Sequence, residues 1–167
     1  TTLLDDYEPG LQVNTLVAEF GALKDFLIPF IKQVLDKKIT NTAFNHPVDK
    51  SAQEKLGRYV IEKMGFDFSR GRLDSSVHPF CGGAGANDVR ITTRYNDDYF
   101  MSSLSGMMHE AGHALYEQGR NEIYLDQPVS AARSMAFHES QSLLWEKQVG
   151  QRREFWQFLQ PQLNNYL

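Results

Sequence analysis

The spacing of apolar residues divides the chain into helical stretches flanking an irregular middle. Between Val13 and Lys37, the residues Val13, Leu16, Val17, Phe20, Leu23, Leu27, Phe30, Ile31 and Val34 recur with the 3.6-residue period of one helix face. This stripe is expected to be core, with Pro29 kinking or interrupting the helix. A second helix is expected from Asp49, a short acceptor suited to an N-cap, to about Gly65, with Ala52, Leu56, Tyr59, Val60 and Met64 inward. From Phe66 to Asn87 the period is lost, and the glycine-rich run Cys81 to Asn87 reads as a flexible turn. It lacks the Gly-Lys-Ser/Thr ending of a phosphate-binding loop. Asp88 to Tyr95 then alternates, with Asp88, Arg90, Thr92 and Arg94 on one face and Val89, Ile91, Thr93 and Tyr95 on the other, which predicts a short strand.

Two more helices follow. Leu104, Met108, Ala111 and Leu115 form one apolar stripe of a helix that Gly119 ends. Met107, Ala114 and Tyr116 flank the opposite side, so that side reads as the wall of a cleft. Ser130 to Val149, between Pro128 and Gly150, is expected to be one helix packed beside it, the turn lying in Asn121 to Pro128. Its stripe of Ala132, Met135, Ala136, Glu139 and Leu143 holds a carboxylate in an apolar row. Such a group, if buried, needs a cation, a shifted pKa or a metal, so Glu139 has a Lys or Arg partner, lies at an exposed end of the stripe, or binds an ion. Phe155, Trp156, Phe158 and Leu159 suggest a final helix whose packing partner is expected outside residues 1–167.

The chemistry concentrates at His109-Glu110-Ala111-Gly112-His113, an HExxH pattern. Residues four apart on a helix lie one above the other, so His109 and His113 can aim ring nitrogens at one point. Zinc accepts imidazole nitrogens at about 2.0–2.1 Å, and its catalytic sites use three protein ligands. Glu139 is the candidate third ligand. Glu110, beside the histidines, is the candidate general base for an attacking water. Gly112 lets another element approach closely. His138 leaves its helix about 100° from Glu139 and is not taken as a ligand. Glu146 shares the Glu139 side and is placed to orient a metal-bound histidine, while Ser140 and Gln141 are candidates for hydrogen bonds around the ligands.

Four blocks in order carry a resemblance: His78-Pro79-Phe80 (HPF), Asp88-Val89-Arg90-Ile91-Thr92 (DxRxT), His109 to His113 (HExxH) and His138-Glu139-Ser140-Gln141 (HES/GQ). They resemble the motifs of the carboxypeptidase Taq family, peptidase family M32, and Tyr7-Glu8-Pro9-Gly10 with the helix after it is similar too. The resemblance implies a mainly α, gluzincin-like zinc-peptidase core with a deep groove and one short strand or small sheet beside the active-site helix. It implies that His109, His113 and Glu139 bind zinc or cobalt, that Glu110 is the catalytic carboxylate, and that residues are removed from peptide C-termini. It places His78, Asp88, Arg90, Thr92 and Gln141 around substrate or ligands, the strand holding an extended peptide by its edge. Asp88 and Arg90 read equally well as a solvated ion pair. Family members are commonly homodimers.

The family's IRxxAD motif has no counterpart, and the chain opens Thr1-Thr2 without methionine. Residues 1–167 are therefore read as one fragment of a larger catalytic domain: a helical part (1–65), loop and strand (66–100), metal-site helices (101–150) and a C-terminal helix (151–167). Composition is that of an ordinary globular domain, 41% hydrophobic and 23% charged, with net charge −4. No basic cluster suggests nucleic acid, and no apolar run reaches a membrane span. The single cysteine, Cys81, reads as an incidental thiol and favours a reducing, cytoplasmic setting. Two alternatives stay open: a related oligopeptidase or endopeptidase, and a metal-stabilised helical module without catalysis.

Overall fold

The computed structural model describes residues 2–37 and 46–166, which fall into two compact units. Residues 38–45, within the expected helical part, and Leu167, within the expected last helix, lie outside the described residues. The smaller unit comprises residues 1–44 with 133–135. It holds α1 (Thr2–Tyr7) and α2 (Val13–Leu35). The periodicity correctly predicts α2, but the helix runs unbroken through Pro29 and none of its residues is buried. Val17 and Phe20 are 67% and 62% exposed, so the stripe is not core. Amphipathicity marks the face a helix offers; it does not supply the surface that covers it.

The larger unit, residues 45–132 and 136–167, carries both apolar clusters. Its first helix, α3 (Lys50–Met64), begins as expected: the Asp49 carboxylate accepts the Ala52 N–H at 3.0 Å, and Gly65 caps the far end. A three-stranded sheet follows, formed by β1 (Gly71–Ser75), β2 (Cys81–Gly85) and β3 (Asp88–Thr93) in the order β1-β3-β2. β3 was predicted. β1 and β2 correct the loop expected over this region, because pairing with β3 creates them: β1 runs parallel to it and β2 antiparallel. The register of β2 shifts between Gly83 and Gly85. At Gly83, φ is +141° and a Cβ would stand 1.9 Å from the Asp88 carbonyl oxygen, so no other residue fits there.

α4 (Phe100–Gln118) lies between the two clusters. On one side Met107, Ala111 and Ala114 meet Ile61, Phe66, Leu73, Val89 and Ile91. On the other, Phe100, Leu104 and Met108 meet Val48, Leu56, Val60 and Leu159. Each large apolar side chain so buried contributes about 1.5–3 kcal/mol. Buried polar groups are satisfied: Ser103 Oγ donates to Gln53 Oε1 at 2.6 Å, while Gln118 exchanges two hydrogen bonds with the Asp67 backbone.

The single helix expected over Ser130 to Val149 is instead broken. A 3₁₀ turn at Pro128–Ser130 ends in extended backbone at Ala131, and α5 begins only at Met135, running to Leu143. Its continuation, Leu144–Val149, is wound in π turns. α6 (Arg153–Tyr166) finds its partner within the chain, contrary to expectation: Leu159 is fully buried, and Phe155 and Trp156 pack on the same cluster.

Candidate metal centre

α4 is buried on nearly every side, which turns its histidines into the floor of a site. Gly112 is where α5 crosses it. A Cβ there would stand 2.6 Å from both the Gln141 carbonyl oxygen and Ser142 Cα, so the bare backbone at this position lets the second helix lie directly on the first. Glu139 is thereby carried opposite the two imidazoles.

His109 Nε2 lies 3.6 Å from Glu139 Oε1, and His113 Nε2 lies 3.3 Å from Glu139 Oε2. One ligand atom from each of the three residues falls within a span of 4.8 Å. These separations are longer than good hydrogen bonds. They run to different oxygens of one carboxylate and are comparable with the donor-to-donor edge of about 3.3–3.6 Å in a tetrahedral site with metal bonds near 2.0–2.2 Å. The donor set of two imidazoles and a carboxylate thus fits a divalent cation. No Lys or Arg among the described residues pairs with Glu139, whose side chain is 42% exposed, so its row on α5 is not the buried stripe that the sequence pattern suggested.

The ring nitrogens facing away from Glu139 are anchored. His109 Nδ1 is 2.9 Å from Glu146 Oε2, and Ser105 Oγ donates to the other oxygen of that carboxylate at 3.1 Å. Burial alone would raise the Glu146 pKa, but hydrogen bonds from Lys147, His109 and Ser105 outweigh it and hold the carboxyl below its ordinary range. His113 Nδ1 is 2.6 Å from His138 Nδ1, and His138 Nε2 is 2.9 Å from Glu117 Oε1. Arg120 Nη1 donates to Glu117 Oε2 at 3.0 Å. Burial, followed by the neighbouring His138 and His109, pushes the His113 pKa down, which favours the neutral ring that a metal needs.

Glu110 is buried, and no protein donor among the described residues holds its carboxylate. Burial pushes its pKa up, with His109 opposing and Glu139 reinforcing the shift. The other predicted residues divide. Thr92 is buried; its Oγ1 meets Ser76 Oγ at 2.6 Å and accepts the Phe80 N–H at 3.0 Å, tying down the loop that bears His78. His78 is exposed yet close enough to lower the Glu110 pKa. Asp88 and Arg90 pair with each other at 2.9 Å on an open face. Gln141 donates to Ser140 Oγ at 3.1 Å, and Ser140 Oγ donates to the Phe137 carbonyl at 2.6 Å, so both bonds stay within α5. The strand expected to offer its edge, β3, is central and flanked on both sides. The edge beside the site is β2. It lines a crevice of about 270 Å³ with Glu117, Arg120 and His138. Glu117 is absent from the sequence-derived set, although it stands four residues after His113 and so continues the same helical row.

A sequence profile described as Carboxypeptidase Taq (M32) metallopeptidase matches residues 1–167. The chain belongs to that family. Among M32 relatives, Carboxypeptidase 1 of Bacillus subtilis is 40% identical over 92% of this chain and 31% of its own length. Thermostable carboxypeptidase 1 of Thermus thermophilus is 39% identical over 95% of this chain and 32% of its own. The fold agrees: metallocarboxypeptidase 1 of Trypanosoma cruzi superposes with a TM-score of 0.88 at 43% identity, over 98% of this chain and 34% of that one. The M32 carboxypeptidase of Deinococcus radiodurans gives 0.90 at 35%, over 98% and 33%. The chain therefore spans about a third of the length of the M32 relatives it matches. Membership in a metallopeptidase family accords with a divalent-cation site at His109, His113 and Glu139. Among the described residues no helix is long and apolar enough to cross a membrane.

Proposed function

We propose that this chain carries the catalytic centre of a zinc-dependent metallocarboxypeptidase that trims residues from peptide C-termini. The observation that carries the reading is the convergence of His109, His113 and Glu139 beside a buried carboxylate, Glu110, that no protein donor among the described residues claims. A zinc ion held by the three ligands would supply Lewis acidity, polarising the scissile carbonyl and acidifying water. Glu110 takes the proton of the attacking water and delivers it to the leaving amine; its raised pKa brings it closer to the working pH that general bases favour. Glu146 and His138 hold the backs of the two imidazoles, keeping both Nε2 atoms aimed inward. An extended peptide is accommodated along β2, whose near-absence of side chains leaves its main chain accessible. Cobalt is the alternative ion. The full-length protein is read as a cytoplasmic homodimer, the compartment from the lone Cys81 and the assembly from family resemblance.

In the full-length protein, Glu110→Gln is expected to keep its metal while peptide hydrolysis falls by about 10²–10⁴. Undiminished turnover would remove Glu110 from the reaction. Peptides amidated at the C-terminus should resist the wild-type enzyme. Their cleavage would redirect the reading to an endopeptidase, and bound metal without turnover on any peptide would leave a structural centre.

A further inference from the structure

The two imidazoles of the centre are backed differently. His109 rests directly on a carboxylate, Glu146, whereas His113 reaches one only through a second imidazole, that of His138. We propose that His138 and Glu117 are positioning residues for His113, forming a hydrogen-bonded relay that fixes its tautomer and ring orientation, with Arg120 clamping the outer end. The inference rests on the reading of His109, His113 and Glu139 as metal ligands.

Proton placement on the two rings sets their roles. For His113 to offer the Nε2 lone pair to a cation, its proton must sit on Nδ1. Between two ring nitrogens 2.6 Å apart there is room for one proton, so His138 Nδ1 must accept. The remaining proton of His138 is then on Nε2, which faces Glu117 Oε1 at 2.9 Å, and a carboxylate can only accept. With both rings neutral and the His113 Nε2 lone pair free, a single assignment satisfies every contact. The reverse assignment would face the His138 Nε2 lone pair toward a carboxylate oxygen, two acceptors in contact, and would put the His113 proton on the nitrogen that faces Glu139. Arg120 opposes that reversal by keeping Glu117 an acceptor from its other side, at 3.0 Å, and is itself tethered to Ser130 Oγ at 3.2 Å.

Burial gives the relay its strength. The side chains of His113, His138, Arg120 and Glu117 are 13%, 15%, 18% and 23% exposed, so water competes weakly for their contacts. Tyr116 closes one side of His138, with ring centroids 4.7 Å apart. The relay also leaves α4 at His113, enters α5 at His138 and returns to α4 at Glu117. His138 adjoins Glu139, so the bond that orients one ligand helps seat the helix bearing another.

The test is zinc affinity in the full-length protein, by competition with a chromophoric chelator, together with the visible spectrum of the cobalt form. Glu117→Ala and His138→Ala are each expected to weaken zinc binding by about 10–100-fold and to alter the cobalt bands. His138→Asn supplies a side-chain oxygen that can accept from His113 Nδ1 and should recover most of the affinity. In that background Glu117→Ala should add little, because the link to it is already cut. Where an alanine variant does not fold, His138→Asn and Glu117→Gln carry the comparison, with Glu117→Gln expected to lose affinity as the charge is lost. Affinities within about twofold of wild type for the folded Glu117 and His138 variants would overturn the relay, as would an Asn variant no better than folded His138→Ala. His113→Ala separates the two levels: if it loses zinc while the relay variants do not, only the relay fails. If it keeps zinc, the metal-centre reading falls as well.

Discussion

His109 Nδ1 and Glu146 Oε2 stand 2.9 Å apart across 37 residues of sequence. The contact leaves the other nitrogen of the ring for a cation. Removing the carboxylate in Glu146→Ala should lower zinc affinity by about 10–100-fold with little change in helix content. Chelator competition and far-ultraviolet circular dichroism check this, and an unchanged affinity would show that packing alone suffices to aim the ring.

Gly112→Ala sets two effects against each other. Alanine improves helix propensity by about 1 kcal/mol. The added Cβ, however, meets backbone atoms of Gln141 and Ser142 at 2.6 Å, which cannot rotate away. Overpacking of this kind costs about 1–3 kcal/mol, so the clash should prevail. Denaturant melts of the metal-free protein should show net destabilisation, and metal uptake should weaken because Glu139 moves with α5. A stabilised variant that still binds metal would refute the close crossing.

Cys81 gives a prediction in pH. Burial pushes its thiol from 9.0 up to about 12, with the carboxylates of Glu110 and Glu117 adding to the shift. Because the thiolate is the nucleophile, alkylation of the folded, metal-free protein should be slow at pH 8 and still accelerating beyond pH 10. The unfolded chain should level off near the ordinary thiol value. A plateau near pH 9 in the folded protein would contradict the assignment.

Where a signal is local, the sequence carries it. The Asp49 cap, the Gly119 stop, the β3 alternation and the HExxH row each depend on neighbours a few residues away, and each is found where expected. β1 depends on β3 across 18 residues; β2 pairs with it across only 3 to 10, but the run Cys81–Gly85 has too few side chains to show a period of two. The exposure of α2 escapes periodicity for another reason: a stripe encodes a face but not its occupant. The candidate ligands were legible because their spacing is chemical. Glu117 was not, since its role emerges only when α5 brings His138 against it, although its place one turn past His113 was a usable clue.

His109 and His113 ride on one rigid helix and cannot part without unwinding it, whereas Glu139 arrives alone on a nine-residue helix. If they hold an ion as proposed, two donors of the chelate move as one body and the third belongs to a different element. The Glu139 carboxylate would then be the arm able to let go first, with both imidazoles left in place. Stopped-flow transfer of the metal to a competing chelator, compared between wild type and Glu139→Ala, reads that arm.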